Sequence, residues 1–177
     1  ILGAVAETLH AGLFNYMQRA GLVLCAAHTA VESLTDTTYS ISAGLPASYD
    51  ASGYGATTIT YTAIGKMNTV TPYGSMRTVN VFNPISGAKE KTKGTADYGE
   101  IDLVFGDVPA DAGQVIVKAA EASSNHYSLK ITYPDTEIHY VDVIVASYQY
   151  SGGGEGAPKT VTAKCALCRA PVVVAAT

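Results

Sequence analysis

Two cysteines with C-x-x-C spacing, Cys165 and Cys168, are the residues of this chain most readily associated with chemistry. This spacing occurs in zinc sites and redox centres, where both thiols must reach one point. The residues around Cys165 alternate as in a β-strand, and strand positions three apart point to opposite faces. A second ligand pair is missing, and the histidines show no pairing with the two cysteines: His10, His28, His126 and His139. We therefore interpret Cys165 as a core residue and Cys168 as a surface residue, and we expect no metal or cofactor.

The other patterns do not indicate an enzyme. The chain has no G-x-S-x-G motif of the kind that places a nucleophilic serine on a sharp turn. The glycines between Gly152 and Gly156 lack the spacing of a phosphate-binding loop, and Pro158 and a strand pattern follow them where such a loop needs a helix. We interpret this segment as a hairpin loop and expect no catalytic activity.

Three lysines, Lys89, Lys91 and Lys93, would share one face of a strand. They could contact DNA or an acidic partner, but we favour a charged edge strand, because lysines on an edge block unwanted pairing. An intermediate interpretation pairs them with acidic residues of a neighbouring subunit, namely Glu100, Asp102 or Asp142. Asp142 lies among apolar residues of a predicted strand, so we expect it to be partly buried and to need a partner.

The composition indicates a subunit that buries much of its surface against copies of itself. Only 15% of the 177 residues are charged, against about 25% in typical domains, and the chain has 12 tyrosines and no tryptophan. Homomeric interfaces are depleted in charge and rich in aromatic residues. The net charge of -4 argues against a DNA-binding surface, which would be basic, although DNA could still slide past an acidic wall.

Three cysteines are too few for a disulfide scaffold, and no uncharged run reaches the ~18 residues of a membrane span. We divide the chain into an N-terminal arm (residues 1–34), a β-domain (residues 35–168) and an apolar C-terminal tail (residues 169–177). The arm has apolar residues near helical spacing and needs a partner surface. Residues 18–30 also resemble a signal peptide, an interpretation that we disfavour because the apolar core is short.

Within the β-domain, alternating apolar and polar residues predict several strands. The segment from Ile138 to Tyr150 is apolar on both faces, which predicts a central strand or a strand whose outer face meets another subunit. Residues 66–88 are predicted to form a long loop, with a short strand around Val79 and Val81. One helix is predicted over about residues 108–123, capped by Asp107 or Asp111. Its apolar stripe would contain Ala112, Val115, Ile116, Ala119 and Ala122, with Gln114, Lys118 and Glu121 on the opposite face.

Several short segments occur in an order that resembles one protein family. They are Ser42-Ala43-Gly44-Leu45-Pro46, Tyr49-Asp50, Gly53-Tyr54, Ile64-Gly65, Val81-Phe82-Asn83-Pro84, Lys93-Gly94 and Asp111-Ala112-Gly113-Gln114. From about residue 35 to residue 164, the chain resembles the major tail tube proteins of long flexible-tailed (siphovirus-like) bacteriophages. The resemblance does not extend to either end of the chain.

This resemblance implies a mainly β fold, a β-sandwich or barrel-like core with one flanking α-helix and extended terminal arms. It also implies a structural virion protein: hexameric rings that stack through the long loop and the arms into a tail tube. The tube would assemble in the host cytoplasm around a tape-measure protein, would meet tail-terminator and baseplate proteins, and would conduct double-stranded DNA without sequence-specific binding.

We assign ten residues as candidate contacts between subunits: Leu45, Pro46, Tyr49, Tyr54, Tyr73, Met76, Lys89, Lys91, Lys93 and Asp142. Two alternatives stay open. The chain could be the tube subunit of a related contractile injection or secretion machine, or a cell-surface β-sandwich module that binds a partner.

Overall fold

The computed structural model describes residues 33–176. The chain divides after Ser33, and all elements below belong to the unit Leu34–Thr177. The helical spacing and the signal-like segment predicted within residues 1–34 lie outside the described residues.

Strands dominate the described part of the chain. In chain order the elements are β1 (Thr38–Ser42), α1 (Ala51–Tyr54), β2 (Thr62–Ala63), β3 (Met67–Val70), β4 (Met76–Phe82), β5 (Glu90–Asp97), β6 (Glu100–Gly106), α2 (Ala112–Glu121), β7 (Tyr127–Thr132), β8 (Ile138–Ser151), β9 (Thr160–Leu167) and β10 (Val172–Val174). The predicted mainly β fold with one substantial flanking helix is confirmed.

Eight strands form one antiparallel sheet in the order β2-β1-β7-β8-β9-β6-β3, with β10 also paired to β8. The long strand β8 lies at its centre, with β7 along one edge and β9 and β10 along the other. The predicted central strand is therefore confirmed. Both outer strands, β2 and β3, are short, so the sheet presents little unpaired backbone.

The core lies on one face of this sheet, where the alternating residues of neighbouring strands meet. Ile101, Leu103 and Phe105 of β6 are fully buried and pair with Cys165, Ala163 and Val161 of β9. Leu129 and Ile131 of β7 continue the same layer. Period-two patterns therefore predicted these strands correctly.

The helix α2 is shorter than predicted and buries a different face. Asp111 caps it, because its Oδ1 accepts a hydrogen bond from the Gln114 backbone N–H at 2.9 Å. The buried residues are Gly113, Gln114, Val117 and Ala120. The predicted stripe is wrong: Val115 is 52% exposed, whereas Gln114, predicted to face solvent, is buried.

Hydrogen bonds explain the burial of Gln114. Its amide nitrogen donates to the carbonyl oxygens of Gly65 and Gly106, and its Oε1 accepts from the Val108 N–H, each at 2.9 Å. A polar side chain that satisfies three backbone groups can be buried at little cost. Gly113 allows the close approach, because a Cβ there would collide with the Ala63 backbone.

The predicted long loop of residues 66–88 contains two strands. Met67–Val70 forms β3, which pairs with β6 at the edge of the main sheet. Met76–Phe82 forms β4, which pairs with β5 in a separate two-stranded sheet. We call residues 76–97 the β4–β5 hairpin. The sequence indicated a strand at Val79 and Val81 but not its length, because β4 has no buried face.

Part of the predicted C-terminal tail belongs to the sheet, since Val172–Val174 pairs with Ile138–Tyr140 of β8. The glycine-rich segment after β8 connects β8 to β9, as predicted, and residues 151–159 are all exposed. Among the residues that the structure describes, no helix has the length and apolar character needed to cross a membrane.

Candidate functional site

The β4–β5 hairpin is the most exposed regular element of the described chain. Every residue of β4 is exposed, including Val79 (57%), Val81 (50%) and Phe82 (65%). Within the described residues, its two strands pair only with each other. An isolated two-stranded hairpin is marginally stable in water. Exposed apolar side chains on such an element indicate a surface that contacts another protein.

The register gives the hairpin two chemically different faces. Val79 lies opposite Lys93 and Val81 opposite Lys91, so these four side chains share one face. Asn80, Phe82, Glu90 and Thr92 share the other. Lys89 precedes β5. The predicted strand with lysines thus exists and is exposed, and Lys91 and Lys93 lie beside valines on one of its faces.

The segment from Leu45 to Tyr54 forms a compact turn that ends in α1. Asp50 Oδ1 accepts hydrogen bonds from the Gly53 N–H at 2.7 Å and from the hydroxyls of Ser48 and Ser52. The backbone hydrogen bond from Gly53, followed by the serine hydroxyls, lowers the pKa of Asp50. These hydrogen bonds give the loop one defined conformation.

Only part of this loop is available to a partner. Leu45 is 44% and Tyr49 39% exposed, whereas Pro46 is buried and Tyr54 is 1% exposed. Burial corrects the predicted role of Pro46 and Tyr54, whose side chains pack inside the subunit. Leu45 and Tyr49 remain candidates for contacts.

Asp142 is buried, as predicted, but its partners belong to its own chain. Its Oδ2 accepts a hydrogen bond from Arg169 Nε at 3.2 Å, and its Oδ1 lies 2.9 Å from His126 Nδ1. The Arg169 guanidinium also covers the Tyr49 ring, with its central carbon 3.7 Å from the ring centroid. The predicted pairing of Asp142 with a neighbour's lysine is therefore corrected.

Glu100 and Asp102, the other predicted acidic partners, also face a lysine of their own chain. Lys164 Nζ lies 3.1 Å from Glu100 Oε2 and 4.0 Å from Asp102 Oδ1. Both acids are partly exposed, so this lysine pairing does not exclude further contacts.

Tyr73 lies in a groove of about 940 Å³ and forms a chain of hydrogen bonds. Its hydroxyl is 2.9 Å from the Tyr133 hydroxyl and 2.6 Å from His139 Nδ1, and His139 Nε2 is 2.6 Å from Glu137 Oε1. A Glu–His–Tyr chain resembles a catalytic relay. Burial, followed by the hydrogen bond to Tyr133, raises the pKa of Tyr73, which keeps the hydroxyl protonated and disfavours a nucleophilic role. The sequence did not indicate this cluster, because Tyr73 lies at least 60 residues before the other three members, which are close together in the chain.

Met76 stands at the base of the β4–β5 hairpin and is 63% exposed. It pairs with Asp97, so the hairpin leaves the domain and returns to it at adjacent points. Of the ten predicted contact residues, the hairpin carries Met76, Lys89, Lys91 and Lys93, while Leu45 and Tyr49 belong to the separate loop surface.

Comparison with solved structures identifies the architecture. The chain is similar to the SPP1 tail tube (12% identity, TM-score 0.56, 81% of this chain and 78% of that chain). It is also similar to a chain in the tail of an empty gene transfer agent particle, refined with C6 symmetry (12% identity, TM-score 0.58, 82% and 100%).

The chain has the tail tube fold. The resemblance predicted from the sequence is thus confirmed at the level of fold. The same fold occurs in a contractile machine, since a chain of the PVC sheath-tube complex matches with 11% identity and a TM-score of 0.55 over 85% of this chain and 95% of that chain. No protein-family model and no curated protein sequence matches the chain.

Proposed function

We propose that this protein is a structural tube subunit without catalytic activity, which assembles with copies of itself into hexameric rings that stack into a phage tail tube. One observation carries the proposal: a domain with the tail tube fold presents an exposed hairpin with apolar residues on a face bordered by lysines. Such a hairpin gains stability by packing against another subunit.

Self-association is supported further by composition and by the edges of the main sheet. The low charged fraction and the many tyrosines suit homomeric contacts. The short outer strands suit a subunit that joins its neighbours without adding long strands to the sheet. Sixfold symmetry is supported by the C6 symmetry of the similar gene transfer agent tail.

In the proposed assembly, the tube encloses a tape-measure protein, ends at terminator and baseplate proteins, and later conducts double-stranded DNA into the host. Its place is the virion tail, after assembly in the host cytoplasm. The low charged fraction and net charge of -4 support passage of DNA without adhesion to the wall.

Electron microscopy of the purified full chain, combined with light scattering, tests this proposal. We expect rings or tubes of uniform diameter and a mass that corresponds to multiples of six subunits. A protein that stays monomeric at high concentration would contradict the proposal.

A second candidate is the tube subunit of a contractile injection machine, which the similarity to the PVC sheath-tube complex supports. The two candidates differ in their partners. A sheath gene beside the gene for this chain favours the contractile machine, whereas a tape-measure gene without a sheath gene favours the flexible phage tail.

A further inference from the structure

Three side chains with different metal-binding atoms meet on the face of the main sheet opposite the core. They are His126, Asp142 and Cys168, whose ligand atoms all lie within 4.8 Å of one another. His126 precedes β7, Asp142 lies within β8, and Cys168 follows β9. The sequence did not indicate this cluster, because it joins strands that are adjacent only in the folded sheet.

The sheet register explains why they meet. Ser128 of β7 pairs with Asp142, and the β8–β9 register continues to place Cys168 beside Asp142 on its other side. The Cys168 N–H donates a hydrogen bond to the Asp142 backbone carbonyl oxygen at 2.9 Å, which holds Cys168 beside Asp142. His126 stands two residues before Ser128, so it shares the same face. Cys165 lies three positions from Cys168 and is buried in the core on the opposite face.

Two side chains of the same chain orient the carboxylate of Asp142. Its Oδ2 is held by Arg169 Nε at 3.2 Å, while its Oδ1 faces His126. The stacking of Arg169 on Tyr49 holds the guanidinium beside the cluster. Hydrogen-bonded carboxylates of this kind are typical ligands of metal sites, because the second partner fixes the orientation of the ligand.

We propose that His126, Asp142 and Cys168 bind a divalent transition-metal ion of the zinc class. An imidazole and a thiolate favour zinc over magnesium or calcium, which prefer oxygen ligands. In a tetrahedral zinc site the ligand atoms lie about 3.3 to 3.6 Å apart, so side-chain movements of about 1 Å complete the site. The His126 side chain is 39% exposed, which leaves the fourth position to water.

The bound ion would join three chain segments: the connection into β7, the first half of β8 and the segment after β9. The proposal is independent of tube formation, because every ligand comes from one chain. It also differs from the C-x-x-C hypothesis, since only one of the two cysteines takes part.

Cobalt(II) titration of the full chain, first stripped of metal with a chelator, tests the site. A cysteine-bound cobalt ion gives a thiolate-to-metal charge-transfer absorption in the near ultraviolet. We expect one equivalent of cobalt to produce this absorption and zinc to displace it. Cys168→Ser should abolish the absorption, and His126→Gln should weaken binding at least about tenfold.

Cys25→Ser is the matched control, because it removes another thiol and should leave the absorption unchanged. Circular dichroism establishes that each variant is folded. An absorption that persists in Cys168→Ser, that disappears in Cys25→Ser, or that never forms in the unaltered protein overturns the proposal. Unchanged affinity in folded His126→Gln also overturns the assignment.

Discussion

Tyr54 stacks on Tyr140 with ring centroids 5.2 Å apart and ring planes within 6° of parallel. Through this stack, the loop that follows β1 packs against Tyr140 of the central strand β8. Tyr61 adds to it, because its hydroxyl donates to the Tyr54 carbonyl oxygen at 3.2 Å and its ring lies 5.9 Å from that of Tyr140. The exposed residues of the loop, Leu45 and Tyr49, therefore belong to a segment that is anchored by buried aromatic side chains.

Replacing Tyr54 with alanine should destabilise the subunit strongly. The ring is almost fully buried, and loss of a buried aromatic side chain costs about 3 to 5 kcal/mol of unfolding free energy. Urea denaturation followed by circular dichroism measures the effect. The matched variant Tyr49→Ala, at an exposed ring in the same loop, should cost less than about 1 kcal/mol. Equal costs would contradict the assignment of Tyr54 to the core.

Alkaline solution should weaken the fold over a defined range of pH. Burial raises the pKa of Tyr54 from its ordinary value of 10.0 to about 12. The pKa of Tyr54 is higher in the folded state than in the unfolded chain. The contribution of the protonated Tyr54 hydroxyl to the free energy of unfolding is therefore complete below pH 10 and is lost as the pH rises toward 12. Burial also raises the pKa of the Cys165 thiol from 9.0 to about 12, so ionisation of this thiol at alkaline pH further lowers the free energy of unfolding.

The measurement is the urea midpoint between pH 8 and pH 11. We expect the midpoint to fall above pH 9, and to fall less steeply in Tyr54→Phe, which keeps the ring and removes the titrating hydroxyl. A pH dependence identical in Tyr54→Phe and the unaltered protein would show that Tyr54 does not contribute.

Gln114→Met should destabilise the subunit by at least about 2 kcal/mol of unfolding free energy. The substitution keeps the length of the side chain but leaves the Val108 N–H without its partner and removes a donor from the carbonyl oxygens of Gly65 and Gly106. Each buried group left unpaired costs about 1 to 3 kcal/mol. Lys118→Met on the exposed side of the same helix is the control and should change the unfolding free energy by less than about 0.5 kcal/mol.

Val79→Ser combined with Val81→Ser should block tube assembly without unfolding the subunit. Both valines are exposed on the hairpin, so their loss removes apolar surface only from the proposed interface. Sedimentation and electron microscopy measure assembly, and circular dichroism measures folding. Val115→Ser is the control, because Val115 is about as exposed but lies on α2. Full-length tubes from the double variant would refute the role of the hairpin.

The sequence predicted most reliably the strands that bury one face in the core. In β6 and β9 alternate residues are buried, and their alternation identified them. The hairpin strand β4 has no buried residue, so its sequence carries no alternation of buried and exposed residues that would show where it begins and ends. The prediction of the buried face of α2 was wrong, because hydrogen bonds allow the polar side chain of Gln114 to be buried. The spacing of hydrophobic residues does not reveal such hydrogen bonds.

The candidate sites were less predictable than the strands. The sequence indicated that Asp142 needs a partner, but it could not identify Arg169 and His126, because sheet register brings them together. The interpretation of Cys165 and Cys168 as residues on opposite faces was correct, since the strand period of two separates them. The cluster around Tyr73 joins two distant segments, Tyr73 and residues 133–139, and has no local pattern.

The exposed connection between β8 and β9 also offers a place for genetic insertion. Ser151 pairs directly with Thr160, so the strands are joined in register before the loop begins, and residues 152–159 lie outside the sheet. Exposed loop tips of small and polar residues tolerate added sequence. A foreign peptide placed between Gly153 and Gly154 would be displayed on the folded subunit, and an assembled tube would repeat that peptide at the regular spacing of its subunits.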